Sequence, residues 1–134
     1  MSEQLVIDES VYTEIIDHSF ELKPIESCGY LAGKENHITK LYKMVNIDNE
    51  PDHFSFEPKE QFAVLKDARA NDLQLLSVYH SHPESPARPS QEDLRLLKDP
   101  NMIYVIVSLE HDTPDLKAYR IVDSEVSELT VSIK

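Results

Sequence analysis

The stretch LQLLSVYHSHP, residues 73–83, constrains the fold more than any other part of the chain. Leu73 to Tyr79 make an apolar run of strand length, His80 and His82 continue it, and Pro83 ends it. Side chains along a strand alternate between its two faces, so both imidazoles project from the same side. An interior strand that ends this way aims two nitrogen ligands at one point, and neutral imidazole suits Zn2+. The loop ESPARP then reverses the chain, Ser90 takes a helix N-cap position, and Asp93 falls in the first helical turn. An aspartate there can point back at the end of the strand. Two histidines and one aspartate leave a fourth position for water, the open coordination of a catalytic zinc site.

Each piece has a plainer reading. Histidines spaced as H-x-H can be polar residues at the rim of a strand. Ser90-Gln91-Glu92-Asp93 has the form of a capping box, with an acid placed where the helix dipole favours it. The combination within residues 79–93 is more specific than either part.

With 134 residues and no repeat or Gly/Ser linker, the chain reads as one domain over residues 1–134. Residues 9–22 form a helical pattern with Tyr12, Ile15, Ile16 and Ser19 on one stripe, stopping before Pro24. SCGYLAG and HITKLYKMVNI read as strands of a hairpin turned by GKEN. Pro58 opens a second helix over residues 57–71 with Phe62, Leu65 and Ala68 at helical spacing. A third helix is expected from Ser90 to Asp99, and strands at MIYVIVSL, LKAYRIVD and EVSELTVSIK. After a short strand-like start, the layout is mixed α/β, or α+β, with one curved sheet and helices packed against it.

The only two glycines, Gly29 and Gly33, both lie in PIESCGYLAG. Glycine inside a strand marks a bend or a close backbone approach. Glu26 stands at the entrance to that strand, where a solvated loop acid is the commonest outcome. The formal net charge of −12 argues against nucleic acid and anionic membranes as partners. The longest mostly apolar run, residues 102–109, is far shorter than the roughly 20 residues of a membrane helix. Cys28 is the single cysteine, and MSEQLVIDES lacks the layout of a signal peptide, so a cytoplasmic protein is expected.

ESCGYLAG followed by HSHPESPARPSQED resembles the JAMM (MPN+) zinc metalloproteases, whose pattern is an upstream glutamate and then H-x-H-P, six residues, and S-x-x-D. The likeness covers nearly the whole chain and is nearest to the small bacterial members. It implies a curved sheet flanked by helices, of cytidine-deaminase-like architecture. By this resemblance Glu26 matches the catalytic glutamate, His80, His82 and Asp93 match the ligands of one Zn2+ per chain, and Ser90 matches the serine that steadies the oxyanion. It further implies hydrolysis after the C-terminal Gly-Gly of a ubiquitin-like sulfur-carrier protein, releasing a C-terminal residue or a new amino acid such as cysteine or homocysteine. The carrier's adenylating enzyme is a second candidate partner.

Alternative readings are an isopeptidase on ubiquitin-like conjugates and a non-catalytic MPN binding module, which would usually lose part of the metal set. A cupin would lean on many glycine turns, an amidohydrolase barrel needs about 250 residues, and a base deaminase needs the missing P-C-x-x-C ligands. Cys28 reads as a small buried strand residue rather than a nucleophile. His18, His37, His53 and His111 read as surface or rim residues. Phe54 and Phe56 either staple the core or line a substrate groove.

Overall fold

The computed structural model describes residues 3–134. In chain order the elements are β1 (Gln4–Ile7), α1 (Glu9–Leu22), β2 (Cys28–Lys34), β3 (His37–Met44), α2 (Pro58–Ala70), β4 (Gln74–His82), α3 (Gln91–Leu96), β5 (Ile103–Ser108), β6 (Asp115–Val122) and β7 (Glu125–Ile133). The expected strands and helices are all present. The strands run β1-β3-β2-β4-β5-β6-β7 around the sheet, and β7 pairs parallel with β1, so the curved sheet closes on itself. Closure removes the free edges that an open sheet would expose.

β2 and β3 form the hairpin, with Glu35 and Asn36 at positive φ as a two-residue turn requires. β4 lies between β2 on one side and β5 on the other, antiparallel to the first and parallel to the second. Residues 77–82 of β4 and 103–108 of β5 are buried throughout, as strands covered on both faces must be. One face carries Leu31, Tyr79, Val105 and Val107, which pack with Val11 and Ile15 of α1. The other carries Val78 and Tyr104, which pack under Phe54, Phe56, Leu94 and Leu97. His80 and His82 share the parity of Val78, so they face the Phe54 and α3 side.

The glycines act by close approach. A Cβ on Gly29 would lie 2.4 Å from the Tyr42 carbonyl oxygen and 2.9 Å from the Tyr79 ring, and one on Gly33 would lie 1.8 Å from the His37 carbonyl oxygen.

Three expectations are corrected. His18 is not a rim residue: it is 5% exposed, and its Nδ1 is hydrogen-bonded to the Tyr79 hydroxyl across the α1–β4 interface. The inner stripe of α2 is Gln61, Val64, Leu65 and Ala68, while Phe62 is 64% exposed. Polar Gln61 takes the inward position because its Nε2 donates to the Tyr30 hydroxyl at 3.0 Å. Finally, α3 ends at Leu96 rather than Asp99, since the Asp99 amide donates to the Tyr104 hydroxyl at 3.0 Å instead of continuing the helix. Among the described residues no helix is long and apolar enough to cross a membrane.

Candidate metal centre

The strand period that aims His80 and His82 to one side brings their Nε2 atoms within 3.2 Å of each other. Asp93 Oδ2 completes a triangle, 3.1 Å from His80 Nε2 and 3.0 Å from His82 Nε2. All three residues are buried. A tetrahedral ion with bonds of about 2.0–2.1 Å would hold its donors roughly 3.3–3.4 Å apart. The triangle is close to that size, so the donors fit zinc in number, type and spacing. His82 Nδ1 lies 2.7 Å from the Pro86 carbonyl oxygen, which can only accept. The proton is therefore on Nδ1, leaving the Nε2 lone pair for the centre of the triangle. Burial lowers the pKa of His80, which keeps that ring neutral and able to coordinate.

Asp93 is both cap and triangle member. Ser90 Oγ accepts the Asp93 amide at 3.0 Å, and Asp93 Oδ2 accepts the Ser90 amide at 3.0 Å, completing a capping box. That reciprocal pair fixes the carboxylate against the strand end. Burial alone would raise the Asp93 pKa, but its close contacts with the imidazoles of His80 and His82 and the hydrogen bond from the Ser90 amide hold it well below the usual carboxylate range. Ser90 is half-buried, and its Oγ, already an acceptor, keeps a hydroxyl proton to donate.

Glu26 is not a solvated loop acid. It is 2% exposed, and its Oε1 has no hydrogen-bond partner. The Ser81 amide donates to the Ser27 carbonyl at 3.0 Å, the Ser27 amide donates to Ser81 Oγ at 2.8 Å, and Cys28 pairs with His80. These bonds stitch the approach to β2 onto the histidine strand. Burial, followed by the charges of Asp93 and Asp52, pushes the Glu26 carboxyl up to about 9. All five site residues expected from the sequence thus belong to one neighbourhood.

Sequence reasoning left one contributor, Phe54, open between two roles and missed two, Ser81 and Asn46. Phe54 stacks on the His80 ring at 4.8 Å, and with Leu96 and Leu97 it lines a cavity of about 190 Å³ beside Asp93. It both staples and lines, while Phe56 packs against Tyr30. Ser81 makes the stitch to Ser27, a role implied by a small residue between two ligands on a crowded strand. Asn46 donates to the Glu26 carbonyl oxygen at 3.1 Å, and no motif in the sequence points to it.

Residues 8–122 match the family described as prokaryotic homologs of the JAB domain. The chain belongs to the prokaryotic JAB family. Within that family it is similar to the CysO-cysteine peptidase of Mycobacterium tuberculosis, with 32% identity over 96% of this chain and 90% of that one. It also resembles the desampylase of Pyrococcus furiosus, 36% identical over 63% of this chain and 60% of the relative. A solution structure of a Desulfitobacterium hafniense protein superposes with a TM-score of 0.89 at 36% identity, covering 97% of this chain and 92% of that one. The JAB fold expected from the motif is therefore the fold observed.

Proposed function

We propose that this chain is a zinc-dependent peptidase that hydrolyses the bond after the C-terminal Gly-Gly of a ubiquitin-like sulfur-carrier protein. It releases a C-terminal residue or a newly made amino acid such as cysteine or homocysteine. The observation that carries this reading is the His80, His82, Asp93 triangle set beside a buried, unpartnered Glu26. The relative named CysO-cysteine peptidase supports peptidase chemistry and cysteine as a product.

His80, His82 and Asp93 would hold one zinc per chain. Zinc bound there supplies a Lewis acid for the scissile carbonyl and lowers the pKa of water toward about 7. Glu26 Oε1 accepts the proton of the attacking water and passes it to the departing amine. Burial raises the proton affinity of Glu26, as a base requires, and a dication in the adjacent triangle opposes the shift and keeps the group ionisable. Ser90 donates a hydrogen bond from its hydroxyl to the developing oxyanion. The Pro86 bond to His82 and the Phe54 ring over His80 hold both imidazoles in place and exclude water from one side. Residues 1–134 act as one cytoplasmic domain in this reading, and the carrier's adenylating enzyme is a second partner.

The relative named desampylase favours a second substrate form, an isopeptide-linked ubiquitin-like conjugate. The test is to purify the chain, count zinc by elemental mass spectrometry, and offer a linear carrier-Gly-Gly-Cys fusion and a lysine-linked conjugate side by side. Near one zinc and cleavage after Gly-Gly are expected, with the preferred substrate choosing between the two forms. Glu26→Gln should keep its zinc and lose about 10²–10⁴ in rate. Wild-type turnover by that variant, or no metal uptake by the native chain when zinc is offered, sinks the proposal.

A further inference from the structure

We infer that Asn46 is a positioning residue that locks Glu26 to the loop bearing Phe54, so that the base and one wall of the cavity move as a unit. The inference rests on the base role given to Glu26 above. Asn46 lies just beyond β3 and is 7% exposed. Its amide spans two segments far apart in the chain. Nδ2 donates to the Glu26 carbonyl at 3.1 Å and to the His53 carbonyl at 3.0 Å, while Oδ1 accepts the Asp48 amide at 3.1 Å and the Ser55 amide at 3.3 Å. Two donor hydrogens and two acceptor lone pairs are the whole capacity of an asparagine side chain, and all four are engaged. A buried amide saturated in this way has one geometry available to it, because any rotation leaves polar atoms unpaired.

The connections on either side turn that local order into coupling. The Glu26 amide donates to the Glu50 carbonyl at 3.0 Å, so the backbone of the base is gripped by the loop on both its donor and its acceptor. Ile47 donates to the Ser55 carbonyl at 3.1 Å, and Asp48 Oδ2 accepts from Ser55 Oγ at 2.6 Å and from His53 Nδ1 at 2.9 Å, which closes residues 46–55 into a tight loop. Phe54, held between His53 and Ser55, stacks on His80 and walls the cavity that reaches Asp93. A substrate segment pressed against Phe54 therefore bears on the same loop that holds the Glu26 backbone. A loosened loop would still permit zinc to bind but would misplace the proton acceptor, and errors of about 1 Å in such groups cost about a hundredfold in rate.

Asn46→Asp tests this most sharply. It preserves shape and acceptors but replaces the donating Nδ2 with an oxygen that faces two carbonyls. Amide hydrogen exchange read by NMR on the full chain is the first measurement, because it does not depend on turnover. The Glu26 amide, whose Glu50 acceptor lies on the loop that the lost Nδ2 bonds hold in place, should exchange about tenfold faster or more than in the native chain. The Ser55 amide, by contrast, keeps its Oδ1 acceptor in Asn46→Asp and should loosen in Asn46→Ala. The Ser81 amide, bonded to Ser27 on the far side of Glu26, should keep its protection. In the cleavage assay kcat should fall about tenfold or more with zinc content unchanged. If burying the new carboxylate prevents folding, Asn46→Ala removes the amide without adding charge and carries the same expectations for Glu26 and kcat. Unchanged exchange at Glu26 overturns the inference, as does a kcat loss that only follows a loss of zinc. A native chain that cleaves nothing would refute the proposed function, while the exchange data would still decide whether Asn46 ties Glu26 to the loop.

Discussion

The two roles of Asp93 can be separated by comparing Ser90→Ala with Asp93→Ala. Ser90→Ala removes the oxygen that accepts the Asp93 amide at 3.0 Å, an N-cap worth about 1 kcal/mol. With an unfolding entropy of about 2.1 cal/mol/K per residue, 134 residues give roughly 0.28 kcal/mol/K, so losing the cap lowers Tm by about 3–4 °C. That loss should be nearly equal with and without zinc, because Ser90→Ala keeps the backbone amide that donates to Asp93 Oδ2 and so leaves the carboxylate held against the strand end. Asp93→Ala also deletes one corner of the metal triangle. Partners that merely orient a ligand are worth about 10–100-fold in metal affinity, so removing a ligand should weaken zinc binding by about 100-fold or more. Each tenfold removes about 1.4 kcal/mol of the stabilisation conferred by excess zinc, about 5 °C on the same scale. The zinc-induced rise in Tm should therefore shrink by about 10 °C or vanish in Asp93→Ala and survive intact in Ser90→Ala. The assay is differential scanning calorimetry in chelator and then in excess zinc. If the zinc-induced rise in Asp93→Ala matched the native one, Asp93 would be a helix cap and nothing more.

Two further outcomes are expected. Gly29→Ala forces a Cβ to within 2.4 Å of backbone on β3, so denaturant unfolding should show a loss of about 1–3 kcal/mol; native-like stability would contradict the close approach. In chelator, the depressed pKa of buried His80 means that the unfolded state takes up a proton below about pH 6.5 that the folded state refuses. Measured in the Glu26→Gln chain, so that the raised Glu26 carboxyl does not take up a compensating proton over the same range, stability should fall between about pH 7.5 and pH 5.5, with Asp93, whose pKa is also depressed, adding its loss only at more acidic pH. A flat profile across that window would show that His80 is not held neutral by burial.

Much of the centre was legible because it is local. His80 and His82 sit two residues apart on a strand, and Asp93 is placed by a cap whose chemistry is written in Ser90. Glu26 was placed by resemblance alone; its burial depends on the Ser27–Ser81 stitch between segments 54 residues apart, which no periodicity reveals. The hairpin of β2 and β3 could be read because its turn and its glycines are adjacent. Closure of the sheet could not, since β1 is four residues long and its partner β7 lies at the far end of the described chain. The phase of α2 was misread because Gln61 earns its inward place through Tyr30, a partner 31 residues away. The same holds for His18, which looked exposed until Tyr79 supplied a buried partner for its ring.

The closed sheet carries a consequence for the order in which the molecule is made. β1 leaves the ribosome first and β7 last of the seven strands, yet they pair directly at Gln4–Thr130 through Ile7–Ile133. Loop-closure entropy makes so distant a pairing a late event. Glu26, His80, His82 and Asp93, by contrast, are all synthesised before β5, and β2, β3 and β4 pair among themselves without either end of the chain. The nascent chain thus has its candidate metal triangle in hand while the sheet is still open, and an ion captured then would template the half that the last strand seals.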